Sequence, residues 1–274
     1  MAIEPRKTRV AVAQLNSNEN VERNMAQAEN AVRAAAAEGA ALVMLPECFA
    51  YLGPEEGKIA IAESLDESGP ILSRCREWAV HHNAEIILGG FWEKSPESRR
   101  VFNACVHLSR TGEVLSVYRK RHLFDVALDD GTVIRESDSV MPGDSIVTTN
   151  TDFGILGLSV CYDVRFPELY RALIDEGATS LAIPAAFTQT TGKAHWQILL
   201  RARAIENQAY VLAAAQTGHH FGRRRSYGHA MIIDPWGEIL ADAGEEGTLA
   251  VAEVDPDRVK SVRRQLPSLT HRRD

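Results

Sequence analysis

Residues 152–216 read DFGILGLSVCYDVRFPELYRALIDEGATSLAIPAAFTQTTGKAHWQILLRARAIENQAYVLAAAQ. The apolar spacing changes period along this stretch. It gives a strand to Val160, a helix over Pro167 to Glu176, a strand over Ser180 to Pro184, a helix over Ala194 to Gln208 and a strand over Tyr210 to Gln216. A hairpin follows, turning at Asp234-Pro235-Trp236-Gly237. The same order stands upstream: a strand over Thr8 to Leu15, a helix over Asn18 to Glu38, the apolar run Ala41 to Pro46, a helix over Ile71 to His82, and a strand over Glu85 to Gly90. Strands over Phe102 to Ser109 and Glu113 to Tyr118 then meet across Arg110-Thr111-Gly112. The matching order of about seven elements predicts one domain over residues 1–274 with two pseudo-repeated halves, about 8–120 and 152–254, and a C-terminal tail.

Right-handed crossovers place both helices of each half on one face of a mixed sheet. The bare faces then need cover, and packing the two sheets together gives a four-layer α-β-β-α sandwich. The doubly apolar runs Ala41 to Leu45 and Leu181 to Pro184 agree with strands buried on both faces. A doubly wound three-layer sheet is the alternative.

The chain has 274 residues, 45% hydrophobic and 24% charged, which is enough to bury a large core. A formal charge of −7 argues against surfaces for nucleic acid or anionic lipid. Charged residues break up the first ten positions and no apolar run reaches spanning length, so a cytoplasmic protein is expected. The four cysteines are scattered without a CxxC pair, and His81-His82 and His219-His220 lack zinc-ligand spacing. Neither disulfides nor a metal is expected.

In open α/β architectures ligands sit beyond the carboxyl ends of the strands. Three polar residues end apolar strands: Glu47, Lys120 and Cys161. They supply a base, a cation and a nucleophile. A thiol with a pKa near 8.5 is only about 3% thiolate at pH 7, so a cysteine that attacks carbonyls needs a base or a nearby positive charge. Glu47 as that base requires a dry pocket that raises its carboxyl toward neutrality. Each residue alone has a plainer reading, as a surface carboxylate, a solvated lysine or a core thiol.

The flanks weigh against those readings. Leu45-Pro46-Glu47-Cys48-Phe49, Tyr118-Arg119-Lys120-Arg121-His122-Leu123-Phe124 and Ser159-Val160-Cys161-Tyr162-Asp163-Val164-Arg165-Phe166-Pro167-Glu168-Leu169 resemble, in order, the three motifs of the nitrilase superfamily of carbon-nitrogen hydrolases. The resemblance runs from about residue 8 to about residue 255. It implies the α-β-β-α sandwich, a Glu47, Lys120, Cys161 triad, no cofactor, and a homodimer or higher homo-oligomer, with the tail from Val259 a candidate for its contacts. It also implies a second glutamate, Glu136, positioning substrate and lysine; the plain alternative is a loop carboxylate in the acidic stretch with Asp129, Asp130 and Asp138. Tyr162, Arg165, Phe124 and His195 are the expected substrate-binding residues.

Cys161-Tyr162-Asp163 stands where true nitrilases tend to show Cys-Trp-Glu, which favours an amide over a nitrile. Ala194-His195-Trp196, Ser226-Tyr227-Gly228-His229 and Asp234-Pro235-Trp236-Gly237 resemble the branch containing deaminated glutathione amidase. A sister omega-amidase acting on 2-oxoglutaramate, an N-carbamoyl amino acid amidohydrolase and a nitrilase are the alternatives. An anionic substrate would suit Arg165, four residues past the thiol, and Arg223-Arg224-Arg225. Their plain readings are a structural ion pair and a solvated basic loop. Rivals outside the superfamily are a binding protein on the same scaffold, a papain-like hydrolase using His122 or His195, and a redox thiol enzyme.

Overall fold

Strand Thr8–Leu15 is buried at nearly every position because both its faces are covered. Val10 and Val12 join the core that contains the second sheet, whereas Ala11 and Ala13 pack with the first helices. The neighbouring strand alternates likewise, Leu42 and Met44 inward, Val43 and Leu45 outward. The structure, a computed structural model, describes residues 4–67, 69–97, 99–127 and 133–273. Asp129, Asp130 and the last residue of the tail, Asp274, lie outside the described residues.

The first sheet runs Arg225–Tyr227, Ala215–His219, Thr8–Leu15, Leu42–Met44, Glu85–Lys94, Val101–Leu108, Val114–Arg119, with Leu249–Val254 also paired to Thr8–Leu15. Helices Val21–Ala37 and Pro70–His82 cover its outer face through Met25, Ala28, Val32, Cys75 and Trp78. The second sheet runs Ile239–Asp242, Met231–Ile233, Tyr210–Ala213, Ser180–Ala182, Gly154–Leu158, Thr148–Thr151. Its helices are Pro167–Asp175 and Gln189–Asn207. Gly157 faces the first of these, where an added Cβ would lie 3.0 Å from Leu173. The result is the four-layer α-β-β-α sandwich.

Three features depart from the sequence reading. Tyr210 to Gln216 is not one strand: the chain leaves the second sheet at Ala213 and enters the first at Ala215. The continuous apolar run serves both sheets, so periodicity gives no sign of the break. As a consequence the sheets do not follow the expected halves, since Ala215–His219, Arg225–Tyr227 and Leu249–Val254 belong to the first sheet. The helix expected from Ala194 starts at Gln189, in a polar segment whose Gly192 lies against Tyr227; an added Cβ would come within 2.3 Å of that side chain. Several elements went unread in the sequence, among them helix Glu55–Ile61, the hairpin Asp125–Ala127 with Val133–Arg135, and strands Thr148–Thr151, Arg225–Tyr227 and Leu249–Val254. The tail begins as helix Pro256–Gln265, capped by Asp255.

Candidate active site

Glu47 follows strand Leu42–Met44, which lies parallel between Thr8–Leu15 and Glu85–Lys94. The next strand bulges at Gly89-Gly90, where its register shifts against Val101–Leu108. Gly90 has φ +63, and a Cβ there would lie 2.6 Å from the Cys48 nitrogen and 2.8 Å from Glu47 Cγ. The glycine therefore leaves the space in which Glu47 turns inward.

Strand alternation fixes Lys120. Tyr118 is buried between the sheets, and Arg119 points away to Glu93, at 2.7 and 2.5 Å. Lys120 lies just past the strand end, its N–H donating to Asn103 O at 2.9 Å, and its side chain is 2% exposed. Its Nζ donates to Glu47 Oε1 at 2.9 Å and to both oxygens of Glu136, at 3.1 and 2.9 Å. Glu136, in the short turn Glu136–Asp138, also accepts from Phe124 N–H at 2.7 Å. Asn103 Nδ2 bridges Glu47 Oε1 at 2.9 Å and Glu136 Oε1 at 3.1 Å.

Cys161 opens a short 3-10 turn, Cys161–Arg165, beyond strand Gly154–Leu158. Its φ of +48 is unusual for a residue with a side chain. Its N–H donates to Pro184 O at 2.9 Å, and Asp163 N–H to Val160 O at 3.1 Å. The fully buried Asp163 anchors the turn: it accepts from Val160 N–H, His122 N–H and Tyr118 Oη at 2.8, 3.1 and 2.7 Å, and meets His122 Nδ1 at 2.7 Å. The nucleophile turn and the lysine strand thus share one carboxylate.

The Cys161 thiol and the Glu47 carboxylate are hydrogen-bonded. Glu47 Oε2 further accepts from Ala186 N–H at 2.8 Å. Burial and the charge of Glu47 push the thiol well above its ordinary pKa. Burial pulls Lys120 down, but Glu136 and Glu47 outweigh it and hold the ammonium well above its ordinary value. For Glu47 the expectation of a carboxyl raised toward neutrality is corrected. Burial does push it up, yet the charge of Lys120 and hydrogen bonds from Cys161, Lys120 and Ala186 prevail, and it lies below its ordinary value. The resting site is therefore thiol, carboxylate and ammonium.

Glu47, Lys120, Glu136 and Cys161 line one cavity of about 450 Å³, with Phe124, Lys58, Phe221 and Arg224 among the other walls. Tyr162 and Arg165 instead line a narrow recess of about 10 Å³ beside Cys161, shared with Phe124 and Phe187. Arg165 has no acidic partner among the described residues, so the structural ion pair is not formed. Its guanidinium lies over Phe187 and Tyr162, 5.0 and 5.8 Å from the ring centroids, with His195 Nδ1 at 3.4 Å. His195 lines neither the cavity nor the recess and is correspondingly placed against Arg165. Of the basic loop, Arg224 alone reaches the cavity. Asn103 and Asp163 went unread in the sequence. A polar residue inside Val-Phe-Asn-Ala-Cys-Val was the available signal for the first.

Among the described residues no group of three or more His, Cys, Asp or Glu could hold a metal ion. Residues 9–264 match the family model described as carbon-nitrogen hydrolase. A deaminated glutathione amidase from Synechocystis is 48% identical over 269 residues, 96% of this chain and 97% of that protein. The crystal structure of the C. elegans NitFhit protein superposes with a TM-score of 0.92 at 39% identity, covering 98% of this chain and 66% of that one. A variant of the amidase from Nesterenkonia sp. AN1 carries the acetamide moiety of fluoroacetamide on its active-site cysteine. It superposes with a TM-score of 0.79 at 25% identity, covering 95% of each chain.

Proposed function

The chain belongs to the carbon-nitrogen hydrolase family of the nitrilase superfamily, and on that premise we propose that it is a deaminated glutathione amidase in which Cys161 is the nucleophile. As a member it is an amidase, hydrolysing carbon-nitrogen bonds other than peptide bonds. The observation that carries the assignment of residues is the meeting of thiol, carboxylate and ammonium on one cavity wall.

In the first step Cys161 Sγ attacks the amide carbon and its proton passes to Glu47. A carboxyl held below its ordinary pKa is a poor base for a free-standing thiolate, so transfer and attack are coupled. The negative charge leaves Glu47 as the oxyanion forms, and Lys120 stabilises both. The second oxyanion donor is Tyr162 N–H, an amide of the first turn with no intrahelical acceptor. Glu47 returns its proton to the leaving nitrogen, the C–N bond breaks, and a thioester and a free amine result. Water then adds to the thioester while Glu47 takes its proton, and collapse returns that proton to sulfur and frees the acid. Glu136 and Asn103 hold Lys120 and Glu47 in place, and no metal or organic cofactor enters.

Four unpaired cysteines suit a cytoplasmic location. The exposed apolar side chains Ile198, Ile205, Trp236 and Leu240 suit a homo-oligomer. The test of function is hydrolysis of deaminated glutathione, 2-oxoglutaramate, an N-carbamoyl amino acid and a nitrile side by side. Deaminated glutathione is expected to show the highest kcat/KM. Faster turnover of any of the other three would reject the substrate assignment.

A further inference from the structure

Four cationic side chains line the cavity: Lys58, Lys120, Arg135 and Arg224. Lys120 is held by Glu47 and Glu136. Lys58 meets Glu55 at 2.5 Å and lies over the Trp92 ring. Arg135 is exposed. Arg224 is half-buried and has no carboxylate partner among the described residues. Its Nη2 donates to Ala186 O at 3.0 Å, while its Nε is buried with no acceptor among the described residues. A guanidinium that lines the cavity without a counter-ion offers an incoming anion a charge-assisted partner.

The loop that carries Arg224 is pre-organised. His220 N–H donates to Arg224 O at 3.0 Å and Arg224 N–H to Phe221 O at 2.8 Å. His220 itself is pinned between Ser17 O and Ser226 Oγ, at 2.6 and 2.8 Å. The anchor on Ala186 O also ties Arg224 to the residue whose N–H holds Glu47. A fixed cation is thus set one residue from the reacting carboxylate, in a chamber large enough for a small amide.

We propose that Arg224 binds a carboxylate of the substrate and makes the enzyme selective for anionic amides. Arg165 is the less suited cation: its recess of about 10 Å³ holds no more than about one water molecule, and its charge already faces two rings. The proposal rests on the amidase reading but not on deaminated glutathione as the particular substrate.

Two matched pairs of amides test it. Glutaramate against pentanamide places the carboxylate on the acyl side, and N-butanoylglycine against N-propylbutanamide places it on the amine side. In Arg224→Met the anionic-to-neutral ratio of kcat/KM falls about 10- to 150-fold in one pair, as expected for loss of charge-assisted hydrogen bonds. Arg224→Lys, which keeps the charge without the fork, recovers part of it. Calorimetric binding of glutarate and of N-butanoylglycine to Cys161→Ser and to Cys161→Ser/Arg224→Met reads the same contact without turnover. If wild-type enzyme turns over no amide, the amidase reading fails while the binding comparison still decides on Arg224. An unchanged ratio in both pairs, equal binding of both anions, or a ratio that falls in Arg165→Met and not in Arg224→Met overturns the proposal.

Discussion

Replacing Lys120 with Met removes a buried cation, keeps most of the apolar stem, and leaves Glu47 and Glu136 facing each other across Asn103. Both Oε1 atoms accept from Asn103 Nδ2, at 2.9 and 3.1 Å, which sets them about 5 Å apart. At an effective dielectric of about 20, two unit charges at about 5 Å repel by about 3 kcal/mol. In Lys120→Met the repulsion and desolvation therefore both act to push a carboxyl well above the ordinary carboxylate range. A carboxyl raised in the folded state holds its proton more tightly than the unfolded chain does. Its charging penalty is absent below the unfolded value and complete above the raised folded one, so stability falls as pH rises between them. The wild type slopes the other way. Glu47, pushed up by burial but held low by Lys120 and its hydrogen bonds, contributes stability present above its unfolded value and lost as pH falls. Urea denaturation of both proteins at pH 5 and pH 8 checks this. The stability gap should be wider at pH 8 by roughly 2 to 3 kcal/mol, or roughly 4 to 12 °C in Tm. A gap of the same size at both pH values would show that the two carboxylates do not depend on Lys120, and the electrostatic account of the site would be wrong.

Three further substitutions probe the same frame. Asn103→Leu deprives both glutamates of a donor and should lower kcat by roughly 10- to 100-fold and stability by about 1 to 3 kcal/mol, read by kinetics and urea denaturation. Asp163→Asn leaves the donors around a fully buried carboxylate without its charge and should cost about 2 to 4 kcal/mol in a denaturation curve. Gly90→Ala forces a Cβ against Cys48 N and Glu47 Cγ at a positive φ; about 2 to 4 kcal/mol of stability should be lost together with activity, whereas an active, equally stable variant would contradict the tight turn.

The strand ends were readable because a charged or thiol residue after an apolar run is a change of chemical type at a defined place. Glu47, Lys120 and Cys161 each carry that mark, and the structure brings them together with Glu136. Asn103 carries a weaker one, since its neighbours read as an ordinary strand and its partners lie 56 and 33 residues away. The crossing between sheets at Ala214 leaves no trace, because either sheet takes the same apolar side chains. Arg165 and Arg224 both looked like carboxylate ligands by charge alone. That Arg224 lines the large cavity while Arg165 lines the narrow recess and lies over two rings is a tertiary fact. The direction of the Glu47 pKa was misread for a related reason. Burial was a requirement of the chemistry and not something the sequence shows, and the effect of Lys120, which outweighs it, was not countable from sequence either.

The central claim is that Cys161 attacks the amide carbon and carries the acyl group. Rapid-quench intact-mass spectrometry of the wild-type enzyme with deaminated glutathione tests it most directly, with peptide mapping of any adduct. The account predicts a transient acyl adduct on Cys161 that forms and decays at rates compatible with turnover, and no adduct or turnover in Cys161→Ala. Turnover by Cys161→Ala, or an adduct that maps to Cys48 or any other residue, would contradict it.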